Sequence, residues 1–330
     1  MKKFKSILAL SLAIALTFTL AACGKTETSS PSASAEASPA ASGSTAEDGG
    51  GASVYFCISH MSNAWAVTAS DSMKAAAKES NVNLTVLEAG KDINTQVSQI
   101  EMAVTNGAKA VIIEPVSAEG VLAAVKQAES AGVHCIIYNQ NISDPTQATT
   151  FVGVSNADMG YMEMKKACEA IGGKGNIAEL LGPLGSEGQI GRSEGYEKAL
   201  KEYPDVKVVF KEDAQWTTDA ALTLVENWLS TGTEINAVVS QNDNMALGAV
   251  KAFEDAGKKA PTFGVDAVED ALTAIKDGRL TATVDQSTAK QSQMAIAAAV
   301  KLAKGESVEK QYLADPVFID SSNVDQYIKK

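Results

Sequence analysis

The sequence predicts an α/β protein built from two doubly wound parallel-sheet lobes. Three observations predict it. From Val54 onward, short apolar runs alternate with longer stretches of helical periodicity. The alternation falls into two consecutive Rossmann-like series, and neither carries a phosphate fingerprint. Gly182, Gly185, Gly188 and Gly191 are not closed by the Gly-Lys-Ser/Thr of a Walker A loop, so they read as turn glycines.

The first series opens with an apolar strand at 54–59, followed by a helix at 64–79. A strand at 83–88 and a helix at 93–105 follow, then the four-residue apolar strand 110–113, a helix at 118–131 and a strand at 133–138. A strand at 150–154 leads into the second series. There a helix at 157–171 precedes strand 175–181, helix 193–202, strand 206–211 and helix 219–229. Apolar residues 235–239 form the next strand, and Gln241 to Ala249 open its helix. Strand 261–265, helix 268–276 and strand 280–284 complete the series. Short apolar runs joined by helical crossovers are the pattern of strands buried on both faces of a parallel sheet.

The ends bound location. Lys2, Lys3 and Lys5 precede an uncharged stretch from Ile7 to Leu20 and then Leu20-Ala21-Ala22-Cys23, the pattern of a secretory signal. The stretch is shorter than the ~20 apolar residues of a membrane span. Leu-Ala-Ala-Cys resembles the lipobox of bacterial lipoproteins, which implies a signal peptide at 1–22, cleavage before Cys23, a diacylglycerol on its sulfur, and an extracytoplasmic chain anchored to the cell membrane. Residues 23–52 are mostly Ser, Ala, Thr, Gly, Pro and Glu, a composition unable to bury enough apolar surface to fold. They read as a flexible linker with a reach of ~30 Å.

The formal net charge of −12 makes the chain a poor candidate for electrostatic binding to nucleic acid or to an anionic membrane surface. Cys57, Cys135 and Cys168 lack metal-ligand spacing. Cys57 and Cys135 lie in apolar strands and read as buried thiols. His60 and His134 are the two histidines; His134 lies in an apolar strand, and no nucleophile elbow or His-Glu-x-x-His motif accompanies either. No enzyme, metal site or cofactor is expected.

In open α/β sheets a ligand docks beyond the carboxyl ends of the strands, so the polar and aromatic residues there are the candidates. Asn242 and Asp243 follow strand 235–239, where each reads either as a helix cap or as a ligand contact. Trp65 and Trp216 follow other strands; an indole face suits the C–H face of a sugar or cyclitol, although either ring also suits a surface cover. Asn139, Gln140, Arg192, Asp266 and Gln286 complete the set, with side chains able to make paired hydrogen bonds to vicinal hydroxyls.

Residues 53–328 resemble the periplasmic sugar-binding proteins of the ribose type, the type I solute receptors of ABC importers. The resemblance rests on Ile58-Ser59-His60-Met61-Ser62-Asn63-Ala64-Trp65, Arg192-Ser193-Glu194-Gly195-Tyr196, Gln241 to Ala249, Gly264-Val265-Asp266 and Ala282-Thr283-Val284-Asp285-Gln286. It implies a pocket lined by Ser59, Asn63, Trp65, Arg192, Trp216, Asn242, Asp266 and Gln286. It also implies a three-segment hinge near Ser155-Asn156, Gln286-Ser287 and Asp315-Pro316, with one lobe of residues 53–155 plus 287–315 and the other of 156–286 plus 316–330. Asn139-Gln140 stands where ribose receptors place an Asp-Arg pair, and Ala66 where they place a second aromatic. The expectation is therefore a roomier, more neutral site for another neutral monosaccharide or a cyclitol, handed by a monomeric receptor to a permease and its ATPase. The alternatives are presentation to a chemoreceptor or sensor kinase, and a nucleoside or signalling furanone as ligand.

Overall fold

The computed structural model describes residues 51–328. The expected signal peptide at 1–22, Cys23, the expected linker as far as residue 50 and the last two residues lie outside that range.

The first lobe runs β1 (Ser53–Ile58), α1 (Ala64–Glu79), β2 (Asn83–Glu88), α2 (Ile93–Thr105), β3 (Ala110–Ile113), α3 (Leu122–Ser130), β4 (His134–Tyr138) and β5 (Thr150–Val154). The chain continues as α4 (Asn156–Ala170), β6 (Lys174–Leu181), α5 (Glu187–Leu200), β7 (Asp205–Asp213), α6 (Thr218–Ser230), β8 (Ala237–Ser240), α7 (Asp243–Asp255), β9 (Thr262–Val265), α8 (Glu269–Lys276) and β10 (Ala282–Asp285). It ends with α9 (Thr288–Ala303), β11 (Gln311–Ala314) and β12 (Val317–Asp320). One six-stranded sheet has the order β11-β5-β4-β3-β1-β2 and the other β12-β10-β9-β8-β6-β7.

Each sheet is covered on both faces. Phe56, Ile112 and Ile136 pack under α1 and α9, while Cys57, Val111 and Ile137 pack under α2 and α3 on the opposite face. In the second lobe, Leu180 and Val238 meet α6 and α7, and Ile177 and Val239 meet α4 and α5. Cys57, Cys135 and Cys168 are buried and free.

Every strand pairing in the first sheet is parallel, but β12 pairs antiparallel with β10. The cause is chain length. Only Asp315 and Pro316 separate β11 from β12, and a parallel entry needs a crossover of about a dozen residues or more. The chain leaves one sheet at the carboxyl ends of its strands and enters the other from that same side, so β12 runs against its neighbour.

The glycine-rich segment differs from expectation. Gly185, at φ 89°, is a turn residue, but Gly188, Gly191 and Arg192 lie inside α5, which begins six residues before the expected start at 193. Helical glycine costs about 1 kcal/mol relative to alanine, and packing against α4 offsets that cost. A Cβ on Gly195 would lie 2.2 Å from the Ala157 carbonyl oxygen, and one on Gly160 would lie 2.2 Å from that of Arg192. The two backbones touch, and that contact fixes where Arg192 begins.

Candidate functional site

The carboxyl ends of the two sheets face one cleft. Around its enclosed centre stand His60, Asn63, Trp65, Glu114, Asn139 and Gln140 from the first lobe, with Asn156, Gly188, Arg192, Trp216, Asn242, Asp266 and Gln286 completing the wall. The free space is ≈ 60 Å³, room for roughly four to six water-sized groups at ~10–15 Å³ each. A single small ring or short polyol matches that scale, and an oligosaccharide does not.

Two of the lining residues are helix caps as well. Asn63 Oδ1 accepts the Ala66 N–H at 2.9 Å, and Asn242 Oδ1 accepts the Met245 N–H at 2.9 Å. Asn242 still has its amide, which donates to the Trp216 carbonyl at 3.3 Å. Capping and cleft lining are therefore not alternatives, because the cap fixes the side chain at the cleft. Asp243, its neighbour, is fully buried outside the cavity, where it accepts from Thr283 Oγ1 at 2.7 Å and the Val268 N–H at 3.0 Å.

Trp216 occupies a left-handed backbone position at φ 61°, next to Gln215 at φ 55°, a conformation that costs non-glycine residues energy. The Gln215 N–H bonds to Asp213 Oδ1 at 2.8 Å, holding the turn. Gly182 makes room for the indole, since a Cβ there would lie 2.0 Å from the ring. The Arg192 guanidinium sits 5.5 Å from the same ring's centroid and donates through Nη1 to the Gln241 carbonyl. Trp65 is buried on the opposite lobe. Trp65 Nε1 and Arg192 Nε have no hydrogen-bond partner among the described residues. Trp228 is core, stacked on Phe210 at 5.1 Å.

A polar relay crosses the cleft. Asn139, left-handed at φ 63°, donates to Gln286 Oε1 at 3.0 Å, and Gln286 Nε2 donates to Asp266. Burial raises the Asp266 carboxyl above its ordinary range, and neighbouring Asp243 adds to the rise while Arg192 opposes it. The next residue, Ser287, is left-handed at φ 55° and donates through Oγ to the Asp315 carbonyl at 2.7 Å, so two segments that pass between the sheets are bonded to each other.

Ser59 does not line the cavity. It lies behind Glu114 and donates its N–H to Glu114 Oε2 at 2.9 Å. Glu114 was not among the sequence candidates, nor were His60, Asn156 and Gly188. Glu114 is 1 % exposed and accepts Gln140 Nε2 on Oε1 at 2.8 Å. The signal for it was present, because it is the polar residue directly after the apolar strand 110–113. An acid after β3 thus joins the wall where the segment after β4 supplies only amides. Among the described residues no group of three or more His, Cys, Asp or Glu side chains is placed to hold a metal ion.

The sequence profile of a periplasmic binding protein domain matches residues 54–307. The chain belongs to that family. Its members are substrate-binding proteins of ABC transporters, and it is accordingly a binding protein and not an enzyme. It is 37 % identical over 265 residues to a xylitol-binding protein of Mycolicibacterium smegmatis, covering 78 % of this chain and 74 % of that one. Among solved structures, an ABC transporter solute-binding protein from Bacillus halodurans with bound myo-inositol superposes with a TM-score of 0.79 at 33 % identity, covering 85 % of this chain and 98 % of that one. One from Actinobacillus succinogenes with bound D-allose gives 0.79 at 32 %, covering 84 % and 100 %. The fold is therefore the two-lobed periplasmic binding protein type I fold.

Proposed function

We propose that this periplasmic binding protein captures one small polyhydroxylated ligand, a monosaccharide, polyol or cyclitol, and delivers it to an ABC permease. The observation that carries the reading is the wall of the cleft. Two indoles, one from each lobe, accompany a set of side-chain amides, a guanidinium and carboxylates around a space of ≈ 60 Å³. Indole faces suit C–H faces, while the polar groups suit hydroxyls that both donate and accept. Trp65 Nε1 and Arg192 Nε are buried donors without a hydrogen-bond partner among the described residues, and ligand oxygens would satisfy them. The relatives named for xylitol, myo-inositol and D-allose support the same class.

In this reading the ligand bridges the lobes and shifts the population from open to closed, with bending at 155–156, 286–287 and 315–316. Leu20-Ala21-Ala22-Cys23 supports a lipid anchor on Cys23 that keeps a monomeric receptor at the outer face of the cytoplasmic membrane.

A thermal-shift screen of the purified protein against pentoses, hexoses, linear polyols, cyclitols and nucleosides tests it. A ligand at 100 times its dissociation constant adds about 2.7 kcal/mol of stability, a clear rise in melting temperature. A hit among sugars, polyols or cyclitols is expected. Silence there with a response to a nucleoside would overturn the reading.

A further inference from the structure

Five carboxylates are buried among the described residues: Glu114, Glu163, Glu179, Asp243 and Asp266. Glu179 is bridged by Lys211 at 3.2 Å. Glu163, Asp243 and Asp266 each feel the Arg192 guanidinium. Glu114 has no such support. Among the described residues no Lys, Arg or His nitrogen lies within 4.0 Å of it. Its partners are neutral donors, Ser59 through its N–H and side chain and Gln140 through Nε2.

A buried carboxylate without a counter-charge is costly, and this one stands on the wall of the ligand cavity. A carboxylate offers about four acceptor directions, and Ser59 and Gln140 do not fill them all. Arg192 cannot supply the missing charge, because it lies on the opposite lobe, held by the Gln241 carbonyl and against the Trp216 ring. The other titratable groups on the cavity wall are His60 and Asp266. His60 is held below its ordinary pKa by burial and then by Lys91, against Glu88, and so is neutral near pH 7. Asp266 is acidic. The wall therefore carries two carboxyl groups and one guanidinium, together with indole faces that attract cations.

We propose that the favoured ligand carries a protonated amine on its polyhydroxylated skeleton and that Glu114 is the residue that selects it. This rests on the reading of the cleft as a polyol site. The amides of Asn63, Asn139, Asn242 and Gln286 address hydroxyls common to amino and neutral members of the class. Glu114 distinguishes them, since a hydrogen bond to a charged partner is stronger than one between neutral groups.

The test uses isothermal titration of the purified full chain with matched probes: D-glucose against D-glucosamine, myo-inositol against its mono-amino derivative, and xylitol against 1-amino-1-deoxyxylitol, below the pKa of each amine. At least one amino probe is expected to bind about tenfold or more tighter than its hydroxyl partner. Glu114→Gln should bring that ratio close to one, with a thermal melt confirming the fold. Raising the pH above the amine's pKa should collapse the ratio in the unaltered protein, independently of any variant. If hydroxyl probes bind and no amino probe binds tighter, the amine selection is wrong while the polyol site stands. A ratio that survives Glu114→Gln rules out the assignment to that residue. Silence from every probe overturns the polyol reading, and the amine proposal with it.

Discussion

Asn139 Nδ2 lies 3.0 Å from Gln286 Oε1, although 147 positions separate the two residues. The bond joins the end of β4 to the segment that carries the chain back from the second sheet toward α9. Gln286 in turn donates to Asp266, so one amide serves both sides of the cleft. All three groups line the cavity between the lobes.

Gln286→Ala leaves Asn139 and Asp266 without their shared partner. A buried polar group left unpaired costs about 1–3 kcal/mol. Affinity for the ligand should fall roughly 10- to 100-fold, measured by isothermal titration; a dissociation constant unchanged within about twofold would remove Gln286 from the site.

Gly182→Ala should act as a disguised Trp216 variant. Its Cβ would lie 2.0 Å from the indole, so the ring must leave its place. Gly182→Ala and Trp216→Ala are expected to weaken binding to a similar extent, with Trp216→Phe between them and the unaltered chain. Trp216 and Trp65 both line the cavity, so ligand should also change the intrinsic fluorescence, by less in Trp216→Phe. An unaltered affinity in Gly182→Ala would show that the ring position is irrelevant.

The stability of the ligand-free protein should decline as pH rises from the ordinary glutamate range near ~4.3 to about 8. Glu163 accepts the Tyr196 hydroxyl at 2.6 Å and the Ser240 N–H at 2.9 Å, yet burial dominates and pushes its carboxyl up to about 8. A raised acid binds its proton more tightly in the native state than in the unfolded one. Its contribution is complete below the unfolded value and disappears as pH passes the folded value. Asp243 and Asp266, raised by burial, act in the same direction. Melting temperature against pH gives the readout, and Glu163→Gln should flatten the curve. An equally steep curve in that variant would assign the slope elsewhere.

Ligand should compact the molecule. Small-angle scattering is expected to give a smaller radius of gyration once a confirmed ligand is added, as the proposed bending at the three crossing segments requires. Identical curves with and without ligand would mean that capture proceeds without closure.

Cys23→Ser should release the chain from the membrane. Fractionation of expressing cells is expected to move the protein from the membrane pellet to the soluble extracytoplasmic fraction. Persistent pelleting would point to another means of attachment.

The alternation of β and α elements was legible because parallel strands, buried on both faces, must be apolar, and that signal survives in a single sequence. Asn139, Gln140, Asp266 and Gln286 were legible for the related reason that polar residues directly after such strands have few other uses. Glu114 obeys the same rule and was passed over, its strand being only the four residues Ala110–Ile113. The resemblance implied Ser59 in the pocket, and sequence cannot show that its N–H turns toward Glu114. The beginning of α5 was hidden since glycine ordinarily marks a turn, and the backbone contact that reverses its meaning comes from α4, a separate helix. The segments α9, β11 and β12 lie beyond the second series, and their assignment to one lobe or the other depends on pairing over long range.

The glycine seam between α4 and α5 has a consequence for how this receptor can change. With the Arg192 backbone pressed against Gly160, and Gly195 pressed against Ala157, the guanidinium's anchor cannot be displaced without separating two helices. Glu114 and Gln140 lie on loops of the other lobe, bonded to each other, with Ser59 as the further donor to the Glu114 carboxylate. Duplicated copies acquiring new ligands would diverge at that pair first and keep the arginine as a fixed reference point.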